Sequence, residues 1–167
     1  SFIAIEARIT RDGTPWAIDP CTRATSPCNE LAQVMYTNLA DIIWHGAEGE
    51  LVDPIPAGKW GAEILLHSAW ADKNWQSIQF DAKDRGFIKF RNRTVIDGEY
   101  YVVPQSVGLP EIGAVVAVGE TMQEAIDAVK KRVKGISGYY VDTFEDCLDE
   151  TAEEILKVKE FNVELNI

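Results

Sequence analysis

The chain has 167 residues, 46% of them hydrophobic and 26% charged, a mix suited to one globular domain or two small lobes. Its net charge of −11 leaves no basic face for a phosphate backbone, so a nucleic-acid partner is not expected. No apolar run approaches the roughly 18–20 residues of a membrane span, so no membrane partner is expected either.

Residues 2–9 (FIAIEARI) alternate and are rich in strand formers. The chain enters this pattern directly, without methionine, and is expected to be a fragment, a processed chain or a trimmed one. Arg11-Asp12-Gly13 is a turn signal, and residues 15–19 read as a second strand, so the two make an antiparallel hairpin. Ser26-Pro27 is expected to open a helix, with serine as cap and proline in the first position. Leu31, Val34, Met35, Leu39, Ile42 and Ile43 form one apolar stripe along it, and Gly46 ends it. Residues 47–59 carry two prolines and two glycines and read as a boundary between lobes.

Strands are then expected at 61–68 and 75–80, and at 87–96 and 100–103 around a second turn signal, Asp97-Gly98. Residues 112–118 are almost wholly apolar and should form a buried strand. Thr121-Met-Gln-Glu124 is a capping box. It starts a helix with Met122, Ala125, Ile126, Val129 and Val133 on one face, ended by Gly135. A short strand at 139–141 and a helix at 150–161 complete the chain. The late acids Asp142, Glu145, Asp146, Asp149, Glu150, Glu153 and Glu154 read as a solvated helix face. The fold class is α+β, a mostly antiparallel sheet with packed helices. The expected division is 1–48, a linker at 49–60, an α+β lobe at 61–141 and an acidic helical tail at 142–167.

Cys21, Cys28 and Cys147 are too few and too scattered for a disulfide framework, and a reducing cytoplasm is the expected compartment. His67 in an apolar run reads as a structural histidine, and His45 as a favourable contact at a helix C-terminus. Trp60, Trp70 and Trp75, with Lys59 and Lys73 nearby, read either as a binding surface or as a core and lobe interface.

The hairpin carries the clearest chemical pattern. Glu6 and Arg8 share one strand face, since side chains alternate with period two. Asp19, Cys21 and Arg23 repeat at the same spacing, and the turn at Asp12-Gly13 brings Glu6 towards Asp19. Two carboxylates held together call for a cation. Mg²⁺ is a natural one, because it takes oxygen ligands and bridges carboxylates to phosphate. Arg8 and Arg23 suit contacts with phosphate or carboxylate. Spacing alone equally allows charges on an edge hairpin that face water.

The segment IEARITRDGTPWAIDPCTR resembles the hairpin that closes the active site of ATP-grasp ligases. In that family one strand supplies an acidic metal ligand, and the next carries acid-x-Asn-x-Arg. The resemblance implies that Glu6 and Asp19 hold metal and that Arg23 contacts phosphate or substrate. It places Cys21 in the position of the metal-binding Asn, although a thiol is a poor ligand for Mg²⁺. The segment GAVVAVGETMQEAIDAVKKRVKGI is similar to the C-terminal region of the phosphoribosylamine–glycine ligase family, in its order of apolar strand, small-residue turn and capped helix. Together they imply the C-terminal portion of an ATP-grasp fold plus a small α/β lobe. They also imply Mg²⁺ and ATP in the full-length protein, and small-molecule carboxylate and amine substrates. The family's lysines and Gly-rich flap precede the hairpin, so N-terminal ATP-grasp lobes are expected as partners and the chain alone is expected to be inactive. The alternative is a non-catalytic packing or dimerisation module with a vestigial metal site, and a homodimer is compatible with either.

Overall fold

The computed structural model describes residues 3–24, 28–106, 108 and 110–164. In chain order the elements are β1 (Ala4–Ile9), β2 (Pro15–Cys21), α1 (Asn29–Met35), α2 (Leu39–Ala47), β3 (Trp60–His67), β4 (Gln76–Gln79) and β5 (Ile88–Phe90). They continue with β6 (Arg93–Ile96), β7 (Glu99–Val102), β8 (Glu111–Gly119), α3 (Met122–Val133), β9 (Ser137–Gly138), β10 (Asp142–Thr143) and α4 (Cys147–Lys157). The chain divides into two units. One comprises Ser1–Asn29, Asn38–Pro54 and Asp146–Ile167, and the other Glu30–Thr37 and Ile55–Glu145. Among the described residues, no helix is long and apolar enough to cross a membrane.

The second unit holds two four-stranded antiparallel sheets, ordered β10-β3-β8-β5 and β6-β7-β4-β9. β8 is buried on both faces from Ile112 to Ala117, as its apolar composition requires. β3 alternates instead, burying Ala62, Ile64 and Leu66. Helix α3 buries Ala125, Ile126, Val129 and Val133, the stripe expected from its spacing. Its capping box is formed: Glu124 N donates to Thr121 Oγ1 at 3.2 Å, and Thr121 N donates to Glu124 Oε2 at 3.2 Å. α1 packs on β3 where Gly61 has no side chain, since a Cβ there would lie 2.7 Å from Met35 Sδ.

A partly buried ion triad sits among α1, β8 and the end of β5. Arg91 Nε donates to Glu30 Oε1 at 3.0 Å, and Arg91 Nη1 pairs with Glu111. Burial works against the guanidinium charge, but the hydrogen bonds it donates to Glu30 and Glu111 outweigh it and raise the Arg91 pKa.

Four expected elements differ. The single helix over Leu31–Ile43 is broken at 36–38 into α1 and α2. Ala57 N donates to Met35 O at 2.7 Å and Thr37 N to Ile55 O at 2.9 Å, so residues 55–57 take the groups another helical turn would have used. Its expected start at Ser26-Pro27 lies outside the described residues. The strand over 87–96 breaks at Asn92, whose φ is +50°. There the chain leaves the sheet of β8 for the sheet of β7, while Asn92 Nδ2 holds Val103 O at 2.6 Å. The short strand at 139–141 is replaced by β9 and β10 flanking a turn, with Tyr140 at φ +51°. The last helix begins earlier, at Cys147, and tightens into a 3-10 turn at Val158–Phe161.

The first unit contains the β1–β2 hairpin, α2 and α4. Neither helix buries a residue fully. After the 3-10 turn the chain meets the hairpin turn, and Asn162 Nδ2 donates to Arg11 O at 3.2 Å. Of the expected pieces, 1–48 is shared between both units at α1, 49–60 is divided at Pro54, and 142–167 at Asp146.

Candidate functional site

The geometry of the hairpin begins at its turn. Thr10 N donates to Thr14 O at 3.1 Å and Gly13 N to Thr10 O at 2.8 Å, with Gly13 at φ +86°. This is a three-residue loop, a turn followed by a left-handed glycine. The Asp12 carboxyl accepts from the Thr10 hydroxyl and from Thr14 N, and these bonds hold it below the usual carboxylate range.

Pairing runs Ile9 with Pro15, Arg8 with Trp16 and Ala7 with Ala17. Continued regularly it would set Glu6 against Ile18. A bulge between Glu6 and Ala7 shifts the register instead, so that Glu6 is the cross-strand partner of Asp19. Glu6 and Asp19 are therefore register partners because of one extra residue, Ile18. Arg8 Nη2 donates to Glu6 Oε1 at 2.9 Å, with both side chains more than half exposed. Such a pair is worth at most about 1 kcal/mol, so a competing cation can displace the arginine. The Cys21 thiol donates to Asp19 Oδ2 at 3.6 Å. Arg23 Nη1 donates to Ala24 O at 3.1 Å.

Carboxylates on paired residues are the ligand type that Mg²⁺ takes, its shell completed by water or phosphate. A thiol does not suit this ion, and Cys21 is engaged with Asp19.

Among the described residues, one set of three potential ligands closes within 4.8 Å, and it lies elsewhere: His45, Glu48 and Glu50. Glu48 N and Glu50 N donate to His45 O at 3.0 and 2.9 Å, and Gly49 turns the chain at φ +88°. This returns Glu50 Oε2 to 3.0 Å from His45 Nδ1. An imidazole and two carboxylates at a helix C-terminus form a donor set that attracts cations. The reading of His45 as a dipole contact missed this grouping. The signal for it was the spacing His45-x-x-Glu48-x-Glu50 around a turn-forming glycine. His67 packs edge-on against Phe144 at 5.3 Å, and its buried Nδ1 has no hydrogen-bond partner, so the ring is packed but not satisfied as a structural histidine would be.

No protein-family model matches the chain, and no curated protein matches it in sequence. Its fold does match solved structures. The crystal structure of phosphoribosylamine–glycine ligase from Thermotoga maritima matches with a TM-score of 0.67 and 15% identity, over 86% of this chain and 36% of that one. The chain thus spans little more than a third of that ligase, and at this identity the likeness is one of fold: an α+β arrangement of antiparallel sheets and helices shared with part of that enzyme.

Proposed function

We infer that the chain is part of an ATP-dependent ligase of the ATP-grasp kind, one that joins a carboxylate to an amine through an acyl-phosphate. The observation that carries this is the pairing of Glu6 with Asp19 across the bulged hairpin. The fold likeness to phosphoribosylamine–glycine ligase supports it independently. Bound Mg²⁺ would neutralise the ATP phosphates as charge shifts during transfer. Glu6 and Asp19 hold the ion. Arg8 leaves Glu6 and faces phosphate, and Arg23 steadies the transferring phosphoryl group or the acyl-phosphate. Cys21 stands in the third ligand position of the set, where its thiol orients Asp19 instead of binding tightly. The nucleotide also needs N-terminal lobes with their lysines and Gly-rich flap, so the chain alone is inactive. A cytoplasmic setting fits a ligase that draws on ATP. Exposed Ile5, Trp16 and Ile18 on the hairpin fit coverage by such a lobe.

The test is made on the full-length protein. Asp19→Ala lowers ATP-dependent turnover by about 100-fold or more, the scale of losing a group that stabilises transition-state charge. Intact turnover in that variant would show the metal assignment to be wrong. A second reading is a non-catalytic packing or dimerisation module. Cys21 in the asparagine position and the existing Arg8–Glu6 pair favour it. Mg²⁺-dependent ATP binding by calorimetry on the full-length protein would sink that second reading.

A further inference from the structure

Helix α2 ends in three side chains of metal-binding type. One donor atom each from His45, Glu48 and Glu50 lies within 4.8 Å of the others, and all three residues belong to the first unit. The donors are open to a ligand. The side chains of His45 and Glu50 are 41% and 68% exposed, and Glu48 is exposed as well. The backbone that carries them is tied at the helix end, where Glu48 N and Glu50 N share the His45 carbonyl and Gly49 N donates to Gly46 O at 3.3 Å.

The donor types select the ion. Mg²⁺ and Ca²⁺ surround themselves with about six to eight oxygens, so an imidazole nitrogen beside two carboxylates serves them poorly. Zn²⁺ takes imidazole nitrogen and carboxylate oxygen alike, and three protein ligands with water in the fourth position complete a tetrahedral shell. Donors on one zinc ion sit about 3.3–3.6 Å apart, from metal–ligand distances of about 2.0–2.2 Å. His45 Nδ1 and Glu50 Oε2 stand 3.0 Å apart, so this edge needs only to open slightly. The exposed Glu48 side chain closes the set by rotation. The partial negative charge of a helix C-terminus and the chain's net charge of −11 both favour a cation here.

We propose that His45, Glu48 and Glu50 bind a divalent transition-metal ion of the zinc class, which clips the segment after α2 to the end of the helix. α2 has nine residues and buries none of them fully. An isolated helix shorter than about 12–15 residues is marginal in water, so a tie at its last turn adds stability. Metal binding of this kind is linked to folding, because the unfolded chain does not hold the three donors together. The site uses other residues than the hairpin acids, and stands or falls separately from the ligase reading.

The experiment titrates the whole chain with Zn²⁺ and, separately, with Mg²⁺, following the imidazole resonances by NMR. The chain has two histidines, so His67 serves as the internal control, and the His45 signal reads this site whatever the cysteines or the hairpin acids bind. Zn²⁺ should shift His45 saturably and leave His67 in place. Mg²⁺ at about 100-fold higher concentration should leave both unmoved. Glu48→Gln and Glu50→Gln should each weaken Zn²⁺ at His45 by about 10-fold or more. Saturating Zn²⁺ should slow amide exchange in α2 by about 10-fold or more, and His45→Ala should abolish that slowing. The proposal is overturned by an unmoved His45, by an unchanged affinity in both glutamine variants, by Mg²⁺ acting as well as Zn²⁺, or by α2 exchange that Zn²⁺ does not slow. None of the three residues is buried, so the variants should fold as the parent chain does.

Discussion

At the residue scale, two side chains carry testable electrostatics. Asp12 is held below its ordinary value of 3.8, first by the Thr10 hydroxyl and then by Thr14. A depressed carboxylate stabilises the folded turn above its unfolded value, and that contribution is lost as pH falls through the folded one. An NMR titration should place the Asp12 midpoint below 3.8, and Thr10→Val should bring it back up. A midpoint at or above the ordinary value would refute the assignment. Arg91 is different, because its partner Glu30 is buried. Arg91→Ala leaves Glu30 and Glu111 without their cation and should cost about 2–3 kcal/mol in urea unfolding. A loss under about 0.5 kcal/mol would mean that water replaces the arginine without penalty. The hairpin acids were legible as a spaced pattern. So was the approach of Glu6 to Asp19 about the Asp12-Gly13 turn, whereas the bulge that makes Asp19 rather than Ile18 the register partner of Glu6 was not.

Elements with strong local signals formed where their residues indicated. The capping box at Thr121 and the two turn glycines Gly13 and Gly98 belong here, because each solves its problem within a few residues. Thr121→Ala should cost about 1 kcal/mol, read as a lower urea midpoint, and Thr121→Ser should restore most of it. An unchanged midpoint would show that the cap is redundant. Gly113 has a tertiary reason instead. A Cβ there would collide with Lys89 O and lie 2.9 Å from Phe90 Cα, because β5 crosses against β8 at that point. Gly113→Ala should therefore cost about 1–3 kcal/mol, and a neutral result would mean that β5 can move aside. The broken helix at 36–38 and the break at Asn92 show the opposite case. Their apolar patterns are continuous, and the interruption comes from distant backbone, residues 55–57 and Val103, that no local window contains.

Across the whole molecule, burial is uneven. Every fully buried hydrophobic residue among those described, from Ala62 to Val133, belongs to the second unit. The first unit keeps Ile5, Trp16, Ile18 and Trp44 exposed, and a two-stranded hairpin is marginal by itself. Hydrogen exchange should follow this division. Amides of β3, β8 and α3 should exchange slowest, and those of β1 and β2 orders of magnitude faster. Equal protection in β1 and β8 would mean that the hairpin is as firmly held as the core.

The sequence by itself determined the α+β class, the buried strand expected at 112–118, the capped helix after it and both hairpins. Each follows from periodicity or turn chemistry read over a short stretch. It also marked Glu6, Asp19, Cys21 and Arg23 as a spaced set. Only the tertiary structure decided that a bulge makes Asp19, and not Ile18, the register partner of Glu6 and that Arg23 donates to Ala24 O. Only it gathered His45, Glu48 and Glu50 into one group. The physical reason is common to all of them. A bulge and a closed turn depend on where other backbone passes, and spacing along the chain does not encode that.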